Sequence, residues 1–208
     1  LMNRMWMHHL GRGLVDTPSD FGSMGLEPTH PELLDWLASE LPKQQWSWKR
    51  MHQMIMASTV YRQRSQRDPV RNAIDPENRF LWRKPIQRLE AEIVRDRILA
   101  TSGEMNHQMH GPPVSVQADD VGQIVVAAGA AGKRRSVYVQ VRRTMPVSML
   151  RQFDMPDIKV NCDKRASSTV APQSLTLMNS SFILEQAEAF SRRLQLEASA
   201  DRDQQVWR

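Results

Sequence analysis

Cysteine is all but missing from this chain of 208 residues: Cys162 stands alone, so no internal disulfide can staple the fold and no C-x-x-C-H haem-attachment motif is present. Long apolar runs are missing as well. None approaches the ~20 residues that a membrane-spanning helix needs, and residues 1–10 lack both an initiator methionine and the apolar core of a secretory signal. Lysine is scarce, supplying six of the 28 basic residues, so the formal charge of +5 rests on arginine, whose planar fork suits carboxylate, phosphate or sulfate. Aromatic residues make up only 6% of the chain, too few around the arginines for the stacking platform that single-stranded nucleic acid requires. The 23 acidic residues are interspersed with the basic ones, which favours surface ion pairs over a single field that attracts anions. With 40% hydrophobic residues the length suffices for one substantial core. The expectation is a mainly α fold: one helical domain over 1–198, a fragment of a longer protein cut at both ends, with a frayed polar tail over 199–208.

Helical periodicity dominates what is present. Residues 1–10 read as the end of an amphipathic helix stopped by Gly11 and Gly13, and Pro18, Gly22 and Gly25 predict turns after it. Thr29-His30-Pro31-Glu32 has capping-box spacing before the stripe Leu33, Leu34, Leu37 and Leu41, which ends at Pro42. Trp46, Trp48, Met51, Met54, Ile55 and Ser58 predict one continuous helix to about Arg62, followed by a polar connection from Ser65 to Asn78. Pro85 opens the next helix, with Ile86, Leu89, Ile93, Val94 and Ile98 inward and Arg88, Glu90, Glu92, Arg95 and Asp96 outward. Around 114–141 the period changes to two: Val137, Val139 and Val141 predict a strand, which residues 114–116 and 123–126 could join in a small antiparallel β element. Helices resume after Pro146 and Pro172, the last with Ile183, Ala187, Phe190 and Leu194 in register. There is no internal repeat and no low-complexity segment.

Few residue patterns carry chemistry. Asp20, His30 and His52 are candidate acid–base residues, because the loop bearing Asp20 returns between helices that carry histidines, and Arg4 or Arg12 could bind an anionic substrate group such as a sulfate or uronate. His8 and His9 are metal-ligand candidates, but adjacent residues on a helix point about 100° apart and need a third group from elsewhere. His107 and His110, with Met105 and Met109, are ligand types that suit copper. Glu92 and Asp96 lie four apart on one helical face, a spacing that serves an ion-pair network as readily as paired catalytic carboxylates. Gly129-Ala130-Ala131-Gly132-Lys133 is no phosphate loop, since Arg134 stands where Ser or Thr is required. Arg134, Arg135, Arg142 and Arg143 around Tyr138 form an anion-binding ribbon at most.

Several segments in order resemble one family: Asn3-Arg4-Met5-Trp6, Gly11-Arg12-Gly13-Leu14-Val15, Thr17-Pro18-Ser19-Asp20-Phe21-Gly22, His30-Pro31-Glu32-Leu33-Leu34, Ser58-Thr59-Val60-Tyr61-Arg62, Asp75-Pro76-Glu77-Asn78-Arg79, Phe153-Asp154-Met155-Pro156-Asp157 and Pro172-Gln173-Ser174-Leu175-Thr176. Together they resemble the planctomycete-type C-terminal domain of unknown function 1553 over nearly the whole chain, least well over 114–132. The resemblance implies a large exported bacterial protein, periplasmic or extracellular, in which this domain follows another uncharacterised helical domain and often an N-terminal c-type cytochrome module. It implies a helical accessory or scaffold role in polysaccharide degradation or electron transfer, with the upstream domains and an anionic polysaccharide as partners. Any haem belongs to a module outside this sequence, and the family supplies no catalytic residue to carry over. The alternatives are a hydrolase or oxidoreductase domain with a His/Asp site, or an arginine-based anion or nucleic-acid binder, the last disfavoured by the aromatic count.

Overall fold

The computed structural model describes residues 1–157 and 162–198, so the polar tail expected over 199–208 lies outside the described residues. The chain divides into two compact units, Leu1–Arg88 and Leu89–Arg208. The architecture is mainly α, with one small antiparallel sheet in the second unit.

In the first unit, α1 (Met2–Leu10) ends at Gly11, whose φ of 77° is the left-handed cap that glycine adopts without Cβ strain. Its buried stripe of Met2, Met5, Trp6 and Leu10 packs with Leu37 and Leu41 of α2 (Pro31–Lys43) and Met51 and Ile55 of α3 (Trp48–Ala57). Asn3 is buried beside this core and ties down the following loop: its side-chain nitrogen donates to the Val15 carbonyl at 2.9 Å and its oxygen accepts from the Val15 N–H at 2.8 Å. The N-cap of α2 is His30, not Thr29, so the expected capping box is absent; the Thr29 hydroxyl instead bonds the Leu14 carbonyl at 3.2 Å. Pro42 lies inside the last turn. The helix expected to run unbroken to Arg62 is interrupted at Ser58, in extended conformation, whose hydroxyl donates to the Ile55 carbonyl and accepts from the Tyr61 N–H, capping α4 (Thr59–Arg62). Trp46 and Trp48, expected in its core stripe, are 64% and 56% exposed. The polar connection contains α5 (Pro69–Ile74), capped by Asp68.

The second unit begins later and in a different phase than periodicity predicts. α6 (Ala91–Ser102) starts six residues beyond Pro85, and its buried face is Ala91, Arg95, Leu99 and Ser102, while Ile93 is exposed. Gly103 closes it with φ of 82°. The strands β1 (Val116–Ala118) and β2 (Ile124–Val126) pair antiparallel, with Val116 opposite Val126. The third expected strand is instead a 3-10 turn, Ser136–Tyr138, followed by extended residues that form one bridge, Val114 with Val139. Helices α7 (Ser148–Gln152), α8 (Ala171–Asn179) and α9 (Ser181–Glu197) complete the unit. The inward face of α9 centres on Gln186 and Ala189, so Ala187, expected in the core register, is exposed. Ser102 donates to the Gln186 side chain at 2.7 Å, satisfying two buried polar groups together.

Candidate functional sites

The first unit brings two histidines together. His9 sits on the edge of the α1 stripe and His52 follows the fully buried Met51 on α3, so packing of the two helices fixes both rings. His9 Nε2 and His52 Nδ1 are 2.7 Å apart. At that distance one nitrogen must donate and the other accept, so the contact survives only while the pair is neutral or singly protonated. The His9 ring also meets Tyr61 edge-on, with centroids 5.6 Å apart. The Lys84 ammonium lies 3.7 Å from the Tyr61 ring centroid and donates to the His9 carbonyl, one of the last acceptors of α1. Burial, then the charges of His52, Lys84 and His8, hold His9 below its ordinary value of 6.5. Burial also pushes the Lys84 ammonium below its usual range. A half-buried imidazole beside a cation can accept a proton and face an anion.

The remaining predicted residues of this unit have other partners. Asp20 is exposed and its carboxylate accepts from the Gly22 N–H at 2.9 Å, an Asx turn. His30 bonds its neighbour Thr29 at 2.9 Å. Arg12 pairs with Asp16 at 3.0 Å and with Glu77 at 3.6 Å, and Arg4 reaches the Ser19 hydroxyl at 3.5 Å. His8 is exposed on α1. The structure therefore joins His9 to His52, and adds Tyr61 and Lys84, which sequence reasoning missed.

In the second unit, a cleft of about 340 Å³ is lined by residues of α6, 135–142 and α7, with Met155 and Arg165. Val139, Val147 and Leu150 are buried apolar groups of its lining. Three carboxylates and three guanidiniums border it: Glu90, Glu92 and Asp96, with Arg135, Arg142 and Arg165. Arg165 Nη1 lies 2.6 Å from Glu92 and 3.4 Å from Glu90. Burial works against that charge, but the hydrogen bond and charge of Glu92, followed by the charge of Glu90, hold the guanidinium above its ordinary value. Asp96 Oδ1 accepts from both the Ser136 N–H and the Ser136 hydroxyl at 2.7 Å. Glu92 and Asp96 thus share a helix and a cleft but bind different partners.

Behind the cleft, Arg95 is 2% exposed and donates to the Arg134 carbonyl at 3.0 Å, the Ser136 hydroxyl at 3.1 Å and the Gly132 carbonyl. Burial lowers its proton affinity and Asp96, 3.7 Å away, partly restores it. Arg134 is also buried and spends its donors on the carbonyls of Gln108, His110 and Pro112, with its guanidinium 4.0 Å from the Tyr138 ring centroid. It is therefore a clamp on the 108–112 loop, whereas the sequence reading placed it in an anion-binding ribbon. His107 and His110 are exposed on that loop. Among the described residues, no group of three or more His, Cys, Asp or Glu side chains is placed to hold a metal ion, and no helix is long and apolar enough to cross a membrane.

A family model described as a protein of unknown function (DUF1553) matches residues 1–208. No curated protein and no solved structure matches the chain.

Proposed function

The chain belongs to the DUF1553 family of proteins of unknown function, and from that premise we propose that it is an accessory binding module of an exported, haem-linked bacterial protein acting on envelope polysaccharide or in electron transfer there. The observation that carries this reading is the cleft of the second unit, where an apolar lining is bordered by charges that already have partners. Acid–base catalysis needs a group whose protonation changes near the working pH. A concave apolar seat with a few fixed polar groups suits the holding of a partner. The resemblance supplies the rest: a periplasmic or extracellular setting, upstream domains of the same protein as partners, and c-type haem on another module. Incubating the purified chain with neutral and sulfated glycans, and separately with the upstream part of its parent protein, tests the proposal. The expected result is association with the upstream part and no change in glycan length. Glycan shortening by this chain alone overturns it.

One observation favours a second reading, an enzyme acting on an anionic glycan. His9, with its lowered proton affinity, lies beside His52 and Lys84, a proton acceptor with a cation at hand. That reading moves the expected His/Asp site away from Asp20 and His30 and onto the histidine pair, with Arg12 or Arg4 left to hold a sulfate or uronate. It predicts that His52→Ala abolishes turnover while the thermal transition persists.

A further inference from the structure

We propose that the cleft of the second unit seats an extended peptide segment bearing an arginine beside an aliphatic side chain, and that Arg165 is the chain's own stand-in for that arginine. The inference rests on the binding-module reading above and names its partner. Residues 164–170 form no helix or strand and are mostly exposed, yet side-chain contacts hold them along their length. The Arg165 guanidinium rests on Glu92 and Glu90, the Ser168 N–H and hydroxyl both donate to the Asp154 carboxylate at 2.7 Å, and Gln173 bonds the Ser168 carbonyl and the Val170 N–H. The segment thus resembles a bound peptide already in place.

The chemistry of the cleft selects the occupant. Its Glu90–Glu92 end accepts a guanidinium, as Arg165 demonstrates with Nη1 on both carboxylates, and a guanidinium, more weakly hydrated than an ammonium, gives up less on entering a partly buried site. At that end, once Arg165 has left, an anionic ligand would meet the Glu90 and Glu92 carboxylates and be repelled. Next to the carboxylates lies the apolar lining around Val139 and Leu150, while Val137 and Val141 at the cleft are 72% and 62% exposed. An incoming aliphatic side chain would cover surface that Arg165, with its polar head, leaves in water. The Arg165 side chain is 34% exposed, so it can leave without opening the core. Exchange of one guanidinium for another costs little, because the pairing given up by Arg165 is made again by the incoming group. The gain comes from the aliphatic contact.

The test uses the full chain, two fluorescein-labelled tripeptide amides, Val-Arg-Val and Val-Gln-Val, and fluorescence anisotropy. Removing the internal competitor with Arg165→Ala is expected to tighten binding of the arginine peptide at least tenfold over the unsubstituted chain. Adding Glu92→Gln to that variant is expected to abolish the gain, and the glutamine peptide is expected to bind weakly throughout. Should Arg165→Ala unfold, as judged by circular dichroism, Arg165→Gln removes the charge at similar length and is read the same way. A folded variant that binds both peptides alike, or the arginine peptide no better than the unsubstituted chain does, overturns the inference. If that happens while the unsubstituted chain still associates with its upstream part, only the stand-in falls and the binding-module reading survives.

Discussion

Arg95 shows how much one side chain can organise. Its guanidinium joins α6 to the carbonyls of residues 132 and 134 and to Ser136. Periodicity places Arg95 on the outward face of its helix, yet an arginine stem is apolar and its head enters the interior when acceptors await it. The acceptors come from residues 37 to 41 positions away, which no local pattern contains. Arg95→Ala would leave the Gly132 and Arg134 carbonyls and the Ser136 hydroxyl short of a buried donor and take away the positive charge 3.7 Å from Asp96. We expect a loss of about 3 kcal/mol or more, read as a fall of roughly 10 °C in the thermal midpoint. At His9 the expected effect depends on pH. Its folded-state pKa lies below the ordinary 6.5, so the unfolded chain binds more protons in the window between those values. Stability therefore falls as pH drops through 6.5 and levels off below the folded-state value. His9→Gln should flatten that part of a melting-temperature profile, and an unchanged slope would show that the histidine pair is not its source.

Among elements, the helices with clear stops were the most legible. Gly11 and Gly103 both close helices in the left-handed conformation, as their positions predict. At Gly103 an added Cβ would meet the Arg193 side chain at 3.2 Å in addition to the backbone strain. Gly103→Ala is expected to cost about 1 kcal/mol, measurable by urea denaturation with an unchanged m-value. The break at Ser58 was not legible, because Met51, Met54 and Ile55 continue naturally into the next residues and only the hydroxyl's two local bonds reveal the cap. Ser58→Ala should cost a similar ~1 kcal/mol, with helicity by circular dichroism nearly unchanged. The alternation Val137, Val139, Val141 misled for a related reason. Asp96 captures both the N–H and the hydroxyl of Ser136, and that long-range tether holds the start of the segment in a turn, leaving only Val139 buried. The histidine cluster was half legible. His9 and His52 lie on or beside core stripes, but Lys84 joins them through a carbonyl 75 positions away.

For the whole molecule, several ionisable groups respond to acid in the same direction. Hydrogen bonding and the charge of Lys133 hold Glu104 below its usual 4.5, against a smaller opposing effect of burial. For Asp75, burial pushes upward but is outweighed by the backbone N–H groups of Phe80 and Arg79, which leave the carboxyl below 3.8. Both contribute stability that is present above their unfolded values and lost as pH falls through their folded ones. Together with His9 they predict a two-stage decline on acidification, the first stage beginning near pH 6.5 and the second near 4.5. Differential scanning calorimetry between pH 8 and 3 would resolve it, and a decline confined to the lower range would remove His9 from the account. Mainly helical architecture was legible throughout the chain from apolar periodicity. The cleft was not, because its lining is drawn from α6, residues 135–142 and α7, whose inward faces depend on Arg95 and Ser136.

Cys162 is exposed, is the only cysteine of the chain, and lies three residues before Arg165. A maleimide dye added to the native protein has one address, so labelling needs no prior cysteine removal. The position lies on the segment that carries Arg165, so if an incoming guanidinium displaces Arg165 as proposed, the emission of a dye three residues away should change with it.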